Sequence, residues 1–286
     1  MRAYLPAYEL REAATLEEAL SLLASEPGAW RAFAGGTDLM VLLESGALAR
    51  GRYLGIWHLR ELQGVSATEN EVSIGALATY SDVRRDPLLE REFPLLGCAA
   101  RETGGIAIQN RGTIGGNIAN ASPAADTPPA LLVYDAMLEL RSVRGARRVP
   151  YSAFHRGYKQ MDLAADELIA RIVLPRGRSG WREDYRKVGT RRAQAIAKVC
   201  FAGAVLMTGG IVADIRLAYG SVAPIPLRCA RTEAAVRGRG IDPLLIASAE
   251  RELIQEISPI DDIRSTAAYR RRVSANLLAE FLRRCA

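Results

Sequence analysis

The stretch Ala32-Phe33-Ala34-Gly35-Gly36-Thr37-Asp38-Leu39 sets a short apolar run against a paired-glycine turn and then a new apolar segment. Paired glycines let a backbone bend sharply and present uncovered N–H groups to an anion. Leu39, Leu42 and Leu43 predict a helix starting near Asp38, so the order is strand, glycine loop, helix N-terminus, with amides and dipole facing the turn. Thr113-Ile114-Gly115-Gly116-Asn117-Ile118-Ala119-Asn120 repeats the device and runs into Ala121 to Pro129, a small-residue stretch whose one charge is Asp126. Gly-Gly is common in tight turns and helix C-caps, so either turn alone reads as structural. Two of them, each following an apolar segment, favour an anion site, and a pyrophosphate suits both. The sequence has no G-x-G-x-x-G opening a βαβ unit and no G-x-x-x-x-G-K-[ST], so a dinucleotide bound here lies on another fold.

Outward from these turns, Thr15-Leu16-Glu17-Glu18 is a capping-box pattern, with Leu16, Ala19, Leu20 and Leu23 at helical spacing until Pro27-Gly28. Strands are predicted at Ala32–Ala34, Tyr53–Trp57 and Val72–Gly75. A capped helix is predicted after Thr79, and another from Pro94 to Glu102. Met137–Arg141 and Arg147–Val149 pair as a hairpin across Gly145, and Glu167–Leu174 is a strand ended by Pro175. Pro175 to Gly180 is the best linker. Strands follow near Tyr185, at Val199–Met207 and at Ile211–Tyr219, and then helices. The last helix carries Tyr269, Val273, Leu277 and Phe281 at steps of four, a stripe that packs on the preceding sheet.

The 286 residues suffice for two domains, and 49% hydrophobic content can fill their cores. No apolar run spans a bilayer, and Met1-Arg2-Ala3-Tyr4 leads into no signal-peptide core, which predicts a cytoplasmic chain. Cys98, Cys200, Cys229 and Cys285 are scattered, with no C-x-x-C, so neither disulfides nor metal ligation is expected. The net charge of +6 comes mostly from arginines interleaved with acids; Lys159, Lys187 and Lys198 are the only lysines. One dense patch, Arg141, Arg144, Arg147 and Arg148, surrounds the turn at Gly145. With 6% aromatics and no base-stacking motif, nucleic acid is not an expected partner.

Phe33-Ala34-Gly35-Gly36-Thr37-Asp38-Leu39, then Ile74-Gly75-Ala76-Leu77-Ala78-Thr79-Tyr80, then Gln109-Asn110-Arg111-Gly112-Thr113-Ile114-Gly115-Gly116-Asn117 occur in a telling order and spacing. Together they resemble the FAD-binding (medium) subunit of the molybdenum hydroxylases, the family of xanthine dehydrogenase and carbon monoxide dehydrogenase. Tyr185-Arg186-Lys187, Ile196-Ala197-Lys198 and Asp262 to Arg270 resemble the same family's C-terminal domain, so the likeness covers essentially the whole chain. It implies an α+β architecture: a two-lobed FAD-binding domain of the vanillyl-alcohol-oxidase type over residues 1–176, with lobes of roughly 1–57 and 58–176 by that resemblance. A smaller domain of antiparallel strands and helices follows over residues 181–286. It also implies that Ala32, Phe33, Ala34, Gly35, Gly36, Thr37, Asp38 and Leu39 wrap the FAD pyrophosphate from one side, and Thr113, Gly115, Gly116 and Asn117 from the other. Asp126 resembles the carboxylate that accepts hydrogen bonds from the cofactor's sugar hydroxyls. Thr103, Leu168, Lys187 and Ile196 resemble positions lining the cofactor. Lys187 reads either as a cation beside the flavin N1–C2=O edge, tuning its potential, or as a solvated strand lysine.

The resemblance implies that FAD is the one cofactor of this chain. The cysteine-bearing insertion of the family's benzoyl-thioester reductases is absent between Val133 and Lys187, and with His58 and His155 as the only histidines the FAD is expected to be non-covalent. The molybdenum cofactor and two [2Fe–2S] clusters must then lie on a large and a small partner subunit, since such clusters need grouped thiolates. The flavin would collect electrons from the clusters and pass them to NAD+ or another acceptor, with no acid–base catalytic residue and no metal ligand on this chain. The alternatives are a freestanding FAD-dependent reductase or oxidase on the same fold, and a basic, non-enzymatic binding module.

Overall fold

The computed structural model describes residues 8–49, 51–191 and 193–286; Met1 to Tyr4, on which the lack of a signal-peptide core was read, lie outside the described residues. The first lobe is a parallel sheet in which Arg52–Gly55 lies between Glu9–Glu12 and Trp30–Phe33. Helix Leu16–Ser25 supplies the crossover that parallel pairing demands. Thr15 caps it by accepting from Glu18 N, while the Glu18 carboxylate reaches one residue further back, to Ala14 N. Leu16, Ala19, Leu20 and Leu23 are buried, as their spacing requires, against Leu54 and Ile56 and against Leu77, Leu168 and Ala170 of the second lobe.

The second lobe is an antiparallel sheet of Val65–Ala67, Glu71–Gly75, Leu168–Pro175, Met137–Ser142 and Gly145–Pro150, in that order. The hairpin turns at Val143-Arg144, with Ser142 paired to Gly145, so Gly145 opens the return strand rather than forming the turn. Helix Pro94–Glu102 runs between its predicted ends. Thr79 and Asp82 close a reciprocal capping box at helix Tyr80–Arg85.

The third sheet pairs Trp181–Val188, Val199–Thr208, Ile211–Gly220 and Leu227–Arg228 antiparallel. Strand alternation gives it two different faces. Phe201, Val205, Ile215, Leu217 and Tyr219 face helices Pro243–Glu256 and Ala267–Cys285. Ala202, Ala204 and Ala218 point the other way, into the core of the second lobe, and such small side chains let helix Pro128–Val133 come close. Among the described residues, no helix is long and apolar enough to cross a membrane.

The last helix departs from the predicted stripe. Leu277 and Phe281 are buried, but Tyr269 is 42% exposed, and Arg270 and Ser274 take the inward positions of the first turns. Arg270 donates to Lys198 O and Ser221 O at 2.9 Å each and to Asp262 Oδ1 at 2.8 Å. Two loop carbonyls at the sheet's end need a donor there, and that need outranks apolar periodicity.

Candidate functional site

The two glycine segments lie against each other. A Cβ on Gly35 would fall on the backbone carbonyl of Arg111, so only glycine fits where the first turn meets the approach to the second segment. At the other end of the turn, Asn120 Nδ2 donates to Asp38 Oδ1 at 3.1 Å. Gly36 sits at φ +76°, and a Cβ there would meet the Phe33 ring at 2.8 Å. Ala32 and Ala34 pack on the first-lobe core that contains Leu168, and Leu39 is buried. The N–H groups of Gly35, Gly36 and Thr37 have no acceptor among the described residues. Asp38 makes no side-chain cap to its own helix, Leu39–Glu44, which is under two turns long.

The second segment behaves otherwise. Thr113-Ile114-Gly115-Gly116-Asn117 is the start of a helix, Ile114–Ala119, and not an open turn. Ile114 N donates to Ala78 O and Gly115 N to Ala76 O, while Gly116 N is taken by Thr113 Oγ1 at 3.0 Å. The expectation of bare amides fails here because the loop carbonyls of Ala76 and Ala78 and the Thr113 hydroxyl reach them first. Gly115 is there for contact: a Cβ would stand 2.6 Å from Ala76 Cβ. Gly116 is exposed, with Thr113 Oγ1 as the one neighbour a Cβ would meet. Its bare Cα leaves room for a ligand to approach backbone.

Asp126 lies beyond this helix and is 8% exposed. Asn117 Oδ1 accepts from Thr127 Oγ1 and so ties the helix to the Asp126 segment. Lys187, from strand Trp181–Val188, donates to Asp126 Oδ2 and to Glu102 O at 2.7 Å each. With 4% of its side chain exposed, Lys187 is neither solvated nor idle. Tyr185 OH donates to Asp126 O at 3.0 Å and accepts from Cys200 Sγ. Among the described residues Asp126 Oδ1 is buried without a donor, an uncommon and costly state for a carboxylate oxygen. Burial pushes the Asp126 carboxyl up to about 6 against the opposing pull of Lys187. The Tyr80 hydroxyl is pushed upward by burial and by the Asp126 charge.

The remaining candidates are placed less uniformly. Thr103 is buried and its hydroxyl donates to Ala99 O, closing the helix that ends at Glu102. Leu168 is buried between the lobes and reaches the first turn only through the packing of Ala32 and Ala34. Ile196 is 53% exposed on the loop between Val188 and Val199. That loop leans on the Thr103-Gly104-Gly105 bend: a Cβ on Gly105 would meet Gln194 Nε2 at 2.6 Å. Glu102, Tyr185, Cys200 and Asn120 were not among the sequence candidates, since their contribution is a carbonyl, a second contact or a bridge, none of which has a motif. The lysines did carry a signal. In a chain whose basic residues are nearly all arginine, Lys187 and Lys159 both hold backbone carbonyls of this region, and Lys198 lies 5.2 Å over the Tyr269 ring.

These features suit FAD. The first turn has N–H groups without acceptors among the described residues, Gly116 has exposed backbone, and Asp126 Oδ1 is buried without a donor, as pyrophosphate and sugar-hydroxyl contacts would require.

Comparison with known proteins agrees along the whole chain. Residues 6–177 match the family model for the FAD binding domain in molybdopterin dehydrogenase, and residues 184–285 that for the CO dehydrogenase flavoprotein C-terminal domain. The chain is 35% identical over 270 residues to the glyceraldehyde dehydrogenase medium chain of Sulfolobus acidocaldarius, covering 94% of this chain and 95% of the relative. It is 32% identical over 260 residues to the xanthine dehydrogenase FAD-binding subunit of Escherichia coli O157:H7, covering 90% and 89%. A chain of the carbon monoxide dehydrogenase from Hydrogenophaga pseudoflava superposes with a TM-score of 0.92 at 28% identity, over 96% of each chain.

Proposed function

The chain belongs to the FAD-binding subunits of the molybdenum hydroxylase family, and from that membership we propose that it is the flavoprotein subunit of a three-subunit complex, with a molybdenum-cofactor large subunit and a [2Fe–2S] small subunit as partners. FAD, when bound, supplies an electron relay from the partner's clusters to NAD+ or another acceptor. The residues of this chain hold and orient it. Gly35, Gly36 and Thr37 direct N–H groups at the pyrophosphate, Gly116 admits it from the other side, and Asp126 Oδ1 accepts from sugar hydroxyls. Lys187 keeps the Asp126 carboxylate charged and aimed, and residues 181–286 close over residues 1–176 through that ion pair. The observation that carries the reading is the buried, donorless Asp126 Oδ1 beside its own ion pair.

Purified from cells, the chain should show flavin absorption near one per protein. Acid precipitation should release that flavin, and phosphodiesterase should convert it to FMN. Flavin that stays on the denatured protein overturns the non-covalent assignment. Alone, the chain should not oxidise purines, aldehydes or N-heterocycles with a dye acceptor; coexpressed with its partners, it should coelute with them and its flavin should be reduced by substrate. Substrate-dependent dye reduction by the metal-free single chain would revive the freestanding flavoenzyme.

A further inference from the structure

The hairpin of His155–Gly157 and Gln160–Met161 stands outside the site described above, yet it holds the end of the second glycine segment and, through Asn120, reaches the first. Its tip is Tyr158-Lys159, and Lys159 is held at φ +56°, a conformation costly for a side chain of this kind. From there Lys159 Nζ donates to Asn120 O and, at 2.7 Å, to Asn120 Oδ1. At the hairpin's base His155 Nε2 lies 3.0 Å from Ile118 O. Two carbonyls at the end of the Gly115-Gly116 helix are therefore satisfied by the hairpin, one of them by a cation, which suits a helix C-terminus. Asn120 passes the contact on, since its Nδ2 donates to Asp38 Oδ1.

Asp38 is the one acid in the first glycine segment, and it follows directly on the free N–H groups of Gly35 to Thr37. A carboxylate swinging freely at that point would repel an anion bound by those amides. We propose that Lys159 is a positioning residue for the cofactor's pyrophosphate: by fixing Asn120 it turns the Asp38 carboxylate aside, offsets its charge, and sets the spacing between the two glycine segments. The proposal rests on the FAD reading above. Lys159 does this from the hairpin, through its hold on Asn120.

The test uses the full chain freed of flavin and titrated with FAD and with ADP, which carries the pyrophosphate without the flavin. Lys159→Met should weaken both ligands by roughly tenfold at low salt, the loss of one charge-assisted contact. Lys159→Arg should stay within about twofold, because a second cation can span the same carbonyls. Adding Asp38→Asn to Lys159→Met should recover most of the loss, since the repelling charge is gone; a lysine that only braced the hairpin would show no such recovery. Wild-type affinity in folded Lys159→Met, or an unrecovered loss in the double variant, overturns the proposal. A wild-type chain that takes up no FAD overturns the reading beneath it instead, which the same titration reveals first.

Discussion

At Gly35-Gly36 the chain bends through a positive φ and leaves three amides without acceptors among the described residues, while at Gly115-Gly116 it starts a helix whose first amides go to the Ala78 and Ala76 carbonyls and the Thr113 hydroxyl. The same dipeptide thus serves two physical purposes. In the first segment glycine is a backbone requirement, imposed by φ +76° at Gly36 and by the Arg111 carbonyl at Gly35. In the second it is a surface requirement: Gly115 lets the helix sit on Ala76, and Gly116 keeps the outer face bare. On the proposed reading, an anion would take its hydrogen bonds from one wall and its access from the other. The walls should respond differently to added side chains.

The largest effect is expected at the first wall. Gly35→Ala places a methyl on a backbone carbonyl that cannot step aside without moving the whole approach to Thr113. Overpacking of that kind costs roughly 1–3 kcal/mol or more, so the melting temperature of the apoprotein should fall by several degrees and FAD binding should vanish with it. A Gly35→Ala chain with wild-type melting and wild-type FAD affinity would break the distinction between the walls.

Gly116→Val should separate the two quantities. Its Cβ meets Thr113 Oγ1 at 2.8 Å and nothing else, and the residue is helical, so strain from a positive φ plays no part. Losing the threonine cap costs about 1 kcal/mol, and valine's better helix propensity offsets some of it. Apoprotein stability should therefore stay close to wild type, while FAD affinity drops on the order of 100-fold as the side chain fills the approach. Arg144→Ala is the control. It sits at the Val143-Arg144 turn with 61% of its side chain exposed, paired to Asp166, and a surface pair contributes about 0–1 kcal/mol. Equal flavin occupancy in folded Gly116→Val and Arg144→Ala would remove the second wall from the site.

Asp126 tests what joins the walls to the third sheet. A hydrogen bond to a charged acceptor contributes roughly 1.5–3 kcal/mol, so Asp126→Ala should weaken FAD by about 10- to 150-fold. It also strands Lys187 with only the Glu102 carbonyl, and a buried charge without its partner destabilises the fold. Asp126→Asn is the cleaner variant, since an amide oxygen still accepts, and it should lose less. Unchanged affinity in both, measured by titrating the apoprotein, would take Asp126 out of the site.

The sequence made the local devices legible and left their long-range partners hidden. Thr15, Thr79, Pro94 and Pro175 mark element ends by chemistry that acts within a few residues, and the structure has its boundaries at or next to them. Asp126 stood out as the one charge in a small-residue stretch. That one oxygen of Asp126 meets Lys187 across 61 residues while the other meets nothing depends on how the third sheet seats, which no spacing encodes. The occupied amides at Ile114 and Gly115 were hidden for the same reason: their acceptors at Ala78 and Ala76 come from another element. At the last helix, a period-four stripe correctly chose Leu277 and Phe281 but placed Tyr269 inward, where Arg270 serves carbonyls from two loops.

The smallest effect is a pH dependence, and it sharpens the contrast because backbone amides of the first wall do not titrate while Asp126 does. In the free chain, burial raises the Asp126 carboxyl to about 6, so between its ordinary value and 6 the folded chain holds a proton that the unfolded chain has lost. Apoprotein stability from this group is therefore greatest at low pH and declines as pH rises towards 6. Sugar hydroxyls donating to Oδ1, as proposed, would favour the ionised form and draw the carboxyl back down, so below pH 6 FAD binding should expel a proton. Affinity should be flat above about pH 7 and weaken by roughly tenfold at pH 5, the direction opposite to that of apoprotein stability. In Asp126→Asn the slope should disappear. FAD titrations at several pH values decide the matter: a slope that persists in Asp126→Asn, or an affinity that rises as pH falls, assigns the titration elsewhere and leaves Oδ1 without its hydroxyl.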